Sequence, residues 1–360
     1  MIRFKDDLED AKKRINLWWD NKEADRPLLQ IMAPREEPVF SMPAREAADI
    51  HEYWTHPEVS LPRLFNTLGA TFFGGEAIPL VYPVPGRIVS ITCKYLGAPN
   101  RYIDESTTWS EHIIHDWDNC PPLSLDKNGE WWNITMRNMN LAGEIIRENE
   151  LECFMGLPDL NGPTEVLSGL RNPEKMCMDL IMEPERVLEA ARKVQDAWYE
   201  AWKETAALSS PFGTYSSFMG IWSEIPATDL QSDFSSLISA EMFEQFIYPF
   251  VREQAQRFPR TVFHLDGPDM IRHLDILLED ENINAIQWVF GAGAGRATDW
   301  IDLMKRIQKG GKALYVYCEE DEVLTLADKL DPKGLMMVVT EGSSEKAARE
   351  LLTRLGGGGS

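Results

Sequence analysis

Four short runs in the second half of the chain constrain its fold more than anything else in the sequence. They are TVFHLD (261–266), NAIQWVF (284–290), KALYVYC (312–318) and GLMMVVT (334–340), each rich in β-branched and aromatic residues. Between them lie segments of helical or loop character such as ATDWIDLMKRIQKG and DEVLTLADKL. Strand–helix units that repeat without hairpins predict a parallel sheet, because each return to the sheet needs a crossover. At 360 residues, and with no early glycine-rich phosphate fingerprint, the expected architecture is a (β/α)8 TIM barrel rather than a doubly wound sheet. In that fold the chemistry sits where strands end, so the polar residues closing each run become the informative ones.

The rest of the chain is read around this core. Leu8, Ala11, Ile15 and Trp18/Trp19 recur at helical spacing and predict an amphipathic helix over 4–21. Residues 22–130 are rich in Pro, Gly and aromatics and are expected to form short strands and long excursions over the barrel mouth. From about residue 150 the chain alternates: a short strand in ELECFMGLPDLNG, helices broken near Pro184, then IPATDLQSDFSSLI and a helix with Ser239 as its N-cap. The expectation is one domain over 1–355, of which 1–130 is an N-terminal extension; 356–360 (GGGGS) has the composition of an appended linker.

Charge narrows the partners. The formal net charge of −22 repels nucleic acid and anionic lipid, and it disfavours a highly anionic substrate unless a local basic pocket exists. Cysteines 93, 120, 153, 177 and 318 are odd in number and form no CxxC pair, which fits a reducing compartment. The charged N-terminus and the lack of any apolar run of about 18 residues lead to a cytoplasmic expectation.

His264 and Asp266 stand two apart on one strand and so share a face, as an acid–base pair or half of a metal site; Asp266 could equally cap the helix that Pro268 opens. Asp233 (LQSDFS) offers a second carboxylate, with a solvated loop aspartate as its plain alternative. Asp159 (LPDLNGP) is a third, with Asn-Gly turn chemistry as its alternative. These four are the catalytic candidates. The substrate-binding candidates are Glu76, after two glycines in FFGGEAIP, with Trp222, Gln287, Trp288 and Tyr317. His112 and His115 lack a third ligand nearby, and the glycines at 291, 293 and 295 miss the nucleotide-binding spacing, so that segment reads as a mouth loop. Most tryptophans are expected in the core, but a mouth lined by aromatics and carboxylates would suit a neutral polyhydroxylated or cationic ligand.

The stretch from SEIPATDLQSDFSSLISAEMFEQFIYPFVREQAQRF through FHLDGPDMIRHLDILLEDENINAIQWVFGAG to GGKALYVYCEEDEVLTLADKL resembles the uroporphyrinogen decarboxylase superfamily, which includes corrinoid and cobalamin-independent methyltransferases. The resemblance covers roughly residues 155–355. It implies a distorted TIM barrel with the site at the C-terminal mouth. Zinc methyltransferases of the superfamily use His-x-Cys plus a late Cys. Here His264 matches, Asp266 replaces the Cys, and Thr340 and Glu341 stand where the late Cys would be. His264 with Cys318 is the metal set the resemblance leaves, with Asp266 and Glu341 as further ligands to a zinc ion. The superfamily also places a substrate-orienting aspartate near the end of an early strand; the match there is too poor to align Asp159 to it. The decarboxylase's Arg-rich N-terminal signature is absent, and the net charge suits an octacarboxylate poorly. The resemblance thus implies an enzyme moving a methyl group from a small methylated substrate to a corrinoid protein or thiol, with a homodimer allowed. The alternatives are a metal-free glycoside hydrolase or lyase with paired carboxylates, and a non-catalytic binder.

Overall fold

The computed structural model describes residues 1–84, 91–213 and 219–356. Its centre is a seven-stranded sheet built from β1 (Leu28–Pro34), β2 (Thr71–Gly75), β3 (Ala227–Leu230), β4 (Arg260–Asp266), β5 (Ala285–Val289), β6 (Ala313–Tyr317) and β7 (Leu335–Val339). The order across the sheet is β2-β1-β7-β6-β5-β4-β3, with every pairing parallel except β1 with β2. The protein is therefore α/β with a mostly parallel central sheet. The four runs that anchor the sequence reading are β4 to β7. Residues 22–130 do more than cover a mouth, because they supply β1 and β2.

Strand alternation sorts the side chains onto two faces. Leu28, Ala227, Val262, Ala285, Ala313, Tyr315, Met336 and Val338 pack together on one face. Leu29, Ile31, Leu230, Phe263, Leu265, Ile286, Trp288, Leu314, Val316 and Met337 pack on the other, beneath the helices. The first face is closed by helix α1 (Leu8–Trp19), whose Leu8, Ala11, Ile15, Trp18 and Trp19 are all buried. Trp18 Nε1 donates to the Leu314 carbonyl at 3.1 Å, and Trp19 Nε1 to the Trp222 carbonyl at 3.0 Å. An indole brings large apolar area and one donor, and both donors find acceptors.

The helices follow the punctuation of the sequence. Pro163, Pro173 and Pro184 open α2 (Pro163–Arg171), α3 (Pro173–Met182) and α4 (Pro184–Ser209), where a missing N–H costs nothing. Ser239 caps the helix Ala240–Phe246 by accepting from the Met242 amide at 3.3 Å. The last helix, α5 (Glu345–Arg354), is capped by Ser344 and lies against β1 and β2. Among the described residues no helix is long and apolar enough to cross a membrane.

Candidate functional site

The polar groups converge at the C-terminal ends of β3, β4 and β5. His264 and Gln287 are register partners on β4 and β5 and so point to the same side. His264 is buried, and its Nδ1 lies 2.5 Å from Gln287 Oε1. With the glutamine oxygen accepting, Nδ1 carries the proton, and Nε2 faces Asp233 Oδ1 at 3.7 Å and Asp266 Oδ2 at 3.9 Å. One ligand atom from each of Asp233, His264 and Asp266 lies within 4.8 Å of the other two. Asp266 reaches this position because it does not cap the following turn: Gly267, at φ 84°, takes the N-cap place before Pro268.

Asp159 arrives from a different segment, a loop docked on the end of β3. Gly162 lies so close to Gln231 that a Cβ would stand 1.7 Å from the Gln231 carbonyl oxygen, and Thr164 Oγ1 meets Ser232 Oγ at 3.0 Å. The docking lets Gln231 Nε2 donate to Asp159 Oδ1 at 2.6 Å and to Asp229 Oδ2 at 3.0 Å. Asp159 also accepts from the Asn161 amide at 3.1 Å, so the turn chemistry read from Asn-Gly and the place in the site coexist. Glu165, in the first turn of α2, accepts from the Phe234 amide at 2.6 Å.

The electrostatics follow from crowding acids in a buried place. Burial, reinforced by the Asp229 charge, raises the Asp159 carboxyl to about 7. Burial, reinforced by the Asp233 charge, raises Glu165 to about 7. Asp233 is raised as well, by burial first, against the pull of His264. Asp233 is half exposed as a side chain, but its Oδ1 is buried and has no hydrogen-bond partner. Five carboxyls and one imidazole thus share a small volume. Carboxyls still protonated near neutrality can donate to a leaving or developing oxygen, while ionised neighbours take protons.

Asp159, Asp233, His264 and Asp266 therefore come together, with Gln287 behind His264. Tyr317 lies beyond Gln287 on the same sheet face; burial raises its phenol, against the pull of the Tyr315 and Gln287 side chains. Four predicted residues lie elsewhere. Cys318 packs in the layer beneath the helices, its thiol pushed up by burial to about 12, and it is not among the residues whose ligand atoms gather around His264. Trp288 is fully buried in that layer against Trp300, because neighbouring strand residues point to opposite faces. Trp222 is buried in the cluster that α1 closes and donates to the Gly213 carbonyl at 2.7 Å. Glu76 is fully buried against Arg26, at 2.9 and 3.0 Å, and accepts from the Leu29 amide at 2.8 Å. His112 is occupied by the Gly169 carbonyl.

Two site residues escaped sequence reading. Asp229 was legible: ATDLQSD places Asp229, Gln231 and Asp233 at strand period. Glu165 gave a weaker signal, an acid in the first turn after Gly162-Pro163. Without a thiolate, the Asp233–His264–Asp266 trio is a donor set of one imidazole and two carboxylates, a mixture divalent transition ions accept. No protein-family model matches the chain, and neither does any of the curated proteins compared with it.

Proposed function

We propose that this chain is an enzyme of acid–base chemistry, a glycoside hydrolase or lyase acting on a neutral or cationic hydroxylated small molecule, and that its sheet belongs to a distorted (β/α)8 barrel with the site at the C-terminal mouth. One observation carries the reading: five carboxyls and an imidazole converge without a thiol, and two of the carboxyls are held at about 7. Asp233, its carboxyl raised by burial, is the acid toward the leaving oxygen. Asp266 is the opposing carboxylate that attacks the anomeric carbon as the glycosidic bond breaks. Asp233, having given its proton to the leaving oxygen, then takes one from the water that releases the sugar. His264, oriented by Gln287, holds the two carboxyls in place. Asp159 and Glu165 donate hydrogen bonds to substrate hydroxyls. The Asp233 and Asp266 oxygens lie within 4.8 Å of each other, shorter than the roughly 6.5–9.5 Å that inversion at the anomeric carbon requires. The acid cluster also argues against a polycarboxylate substrate such as a porphyrinogen.

The test is a panel of chromogenic glycosides in metal-free buffer, with the product anomer followed by NMR. Turnover with retention, reduced about a thousandfold or more in Asp266→Asn and Asp233→Asn, is the expected result. Inversion would remove the assignment of Asp266 as the attacking carboxylate.

A second reading is favoured by the trio itself. Asp233, His264 and Asp266 would hold a divalent ion such as zinc, which would supply a Lewis acid for binding a thiol acceptor in methyl transfer, with a corrinoid protein as the other acceptor. Stoichiometric zinc retained by the untagged protein and lost in His264→Ala would establish this reading over the metal-free one.

A further inference from the structure

Residues 3–14, the edge strand β2 and the C-terminal half of α5 line a cavity of about 490 Å3 that uses none of the acid-cluster residues. Six of its sixteen lining residues are cationic and three are carboxylates, in a chain of net charge −22. Four of the six cations are already matched, Arg3 among them with Glu152 at 3.8 Å. Lys5 pairs with Asp7 at 2.8 Å, Arg26 with the buried Glu76 at 2.9 Å, and Arg14 with Asp25 at 3.1 Å. Two are not matched in the same way. Among the described residues no carboxylate lies within 4.0 Å of Arg35, which donates to the main-chain carbonyls of Thr71 at 3.2 Å and Phe4 at 2.6 Å. Arg349 pairs along its own helix with Glu345, a partly exposed contact of small worth. Both guanidinium groups lie over the Phe72 ring, 5.9 Å and 4.5 Å from its centre.

We propose that this cavity binds a small doubly charged oxyanion, as free phosphate or a phosphate monoester, with Arg35 and Arg349 as the groups that hold it. A guanidinium stacked on a ring is fixed in position, and its planar fork matches two oxygens of a phosphate. The Phe72 and Leu352 side chains give an organic substituent an apolar wall, and the volume is that of a small-molecule site. The protein's overall negative field does not forbid this, because salt screens exposed charges beyond about 8 Å at physiological strength.

Calorimetric titration of the intact protein with inorganic phosphate, and separately with phenyl phosphate, against chloride at matched ionic strength tests the site. Saturable one-site binding is expected, weakened about tenfold in R35Q and in R349Q and unchanged in D266N. Tighter binding of phenyl phosphate identifies a monoester as the ligand; equal binding identifies free phosphate. Arg35 also ties Phe4 to Thr71, so R349Q decides the matter if R35Q does not fold. Absence of saturable binding beyond the chloride control, or parental affinity in R349Q, overturns the proposal.

Discussion

Replacing Glu165 by Gln removes a carboxyl that the folded chain holds protonated near neutrality, and the effect on stability has a definite sign. Burial and the Asp233 charge raise the group from 4.5 to about 7. A carboxyl whose folded value exceeds its unfolded value binds its proton more tightly in the folded state. Between about 4.5 and 7 the folded chain keeps a proton that the unfolded chain has released, so stability is lost as pH rises through that window. At about 1.4 kcal/mol per unit, the loss between pH 5 and pH 8 is about 2 kcal/mol. Gln keeps the acceptor for the Phe234 amide and presents Asp233 with a donor instead of a second charge. Calorimetric unfolding should therefore find the variant close to the parent at pH 5 and a few degrees more stable at pH 8. A difference in Tm that is the same at both pH values would refute the reasoning, since Glu165 would then ionise alike in the folded and unfolded chain.

Other substitutions separate the site from its surroundings. Glu76→Ala strips the counter-charge from buried Arg26 and should cost about 3–5 kcal/mol in urea denaturation; a loss below about 1 kcal/mol would show that the pair contributes little. Cys318→Ala should leave turnover and metal content unchanged, because the thiol faces the helices. Gln287→Leu removes the acceptor that orients His264 and should lower kcat about tenfold or more with KM nearly constant, measured with a shifted pH profile. Parental kcat in that variant would show that Gln287 does not position the ring.

The parallel core was legible because β4 to β7 are short, apolar and separated by helical segments, and each of those features has one physical meaning. His264, Asp233 and Asp266 were legible because polar groups closing apolar strands stand out. The mistakes have two sources. Gln287 with Trp288, and Tyr317 with Cys318, are neighbours on a strand, so only one of each pair can face the site; parity alone excludes Trp288 and Cys318 once Gln287 and Tyr317 are placed. Glu76 and Trp222 failed for a different reason. Nothing local in FFGGEAIP reveals that Arg26, fifty residues earlier, meets Glu76, and nothing near Trp222 reveals that α1 closes over it. Long-range partners are invisible to local pattern, and for the same reason the short strands expected within 22–130 could not be assigned to the central sheet as β1 and β2.

That long-range closure bears on how the chain is made. The Trp18 indole meets its acceptor on residue 314, and β1 pairs on one side with β7, whose residues are 335–339. A ribosome adding about 5–20 residues per second must therefore finish most of the polypeptide before the first helix finds its seat. Until then α1 carries two tryptophans and an apolar stripe with nothing to cover them, and β1 lacks its parallel neighbour. Contacts of such wide sequence separation form slowly, so the apolar stripe of α1 stays uncovered until they do.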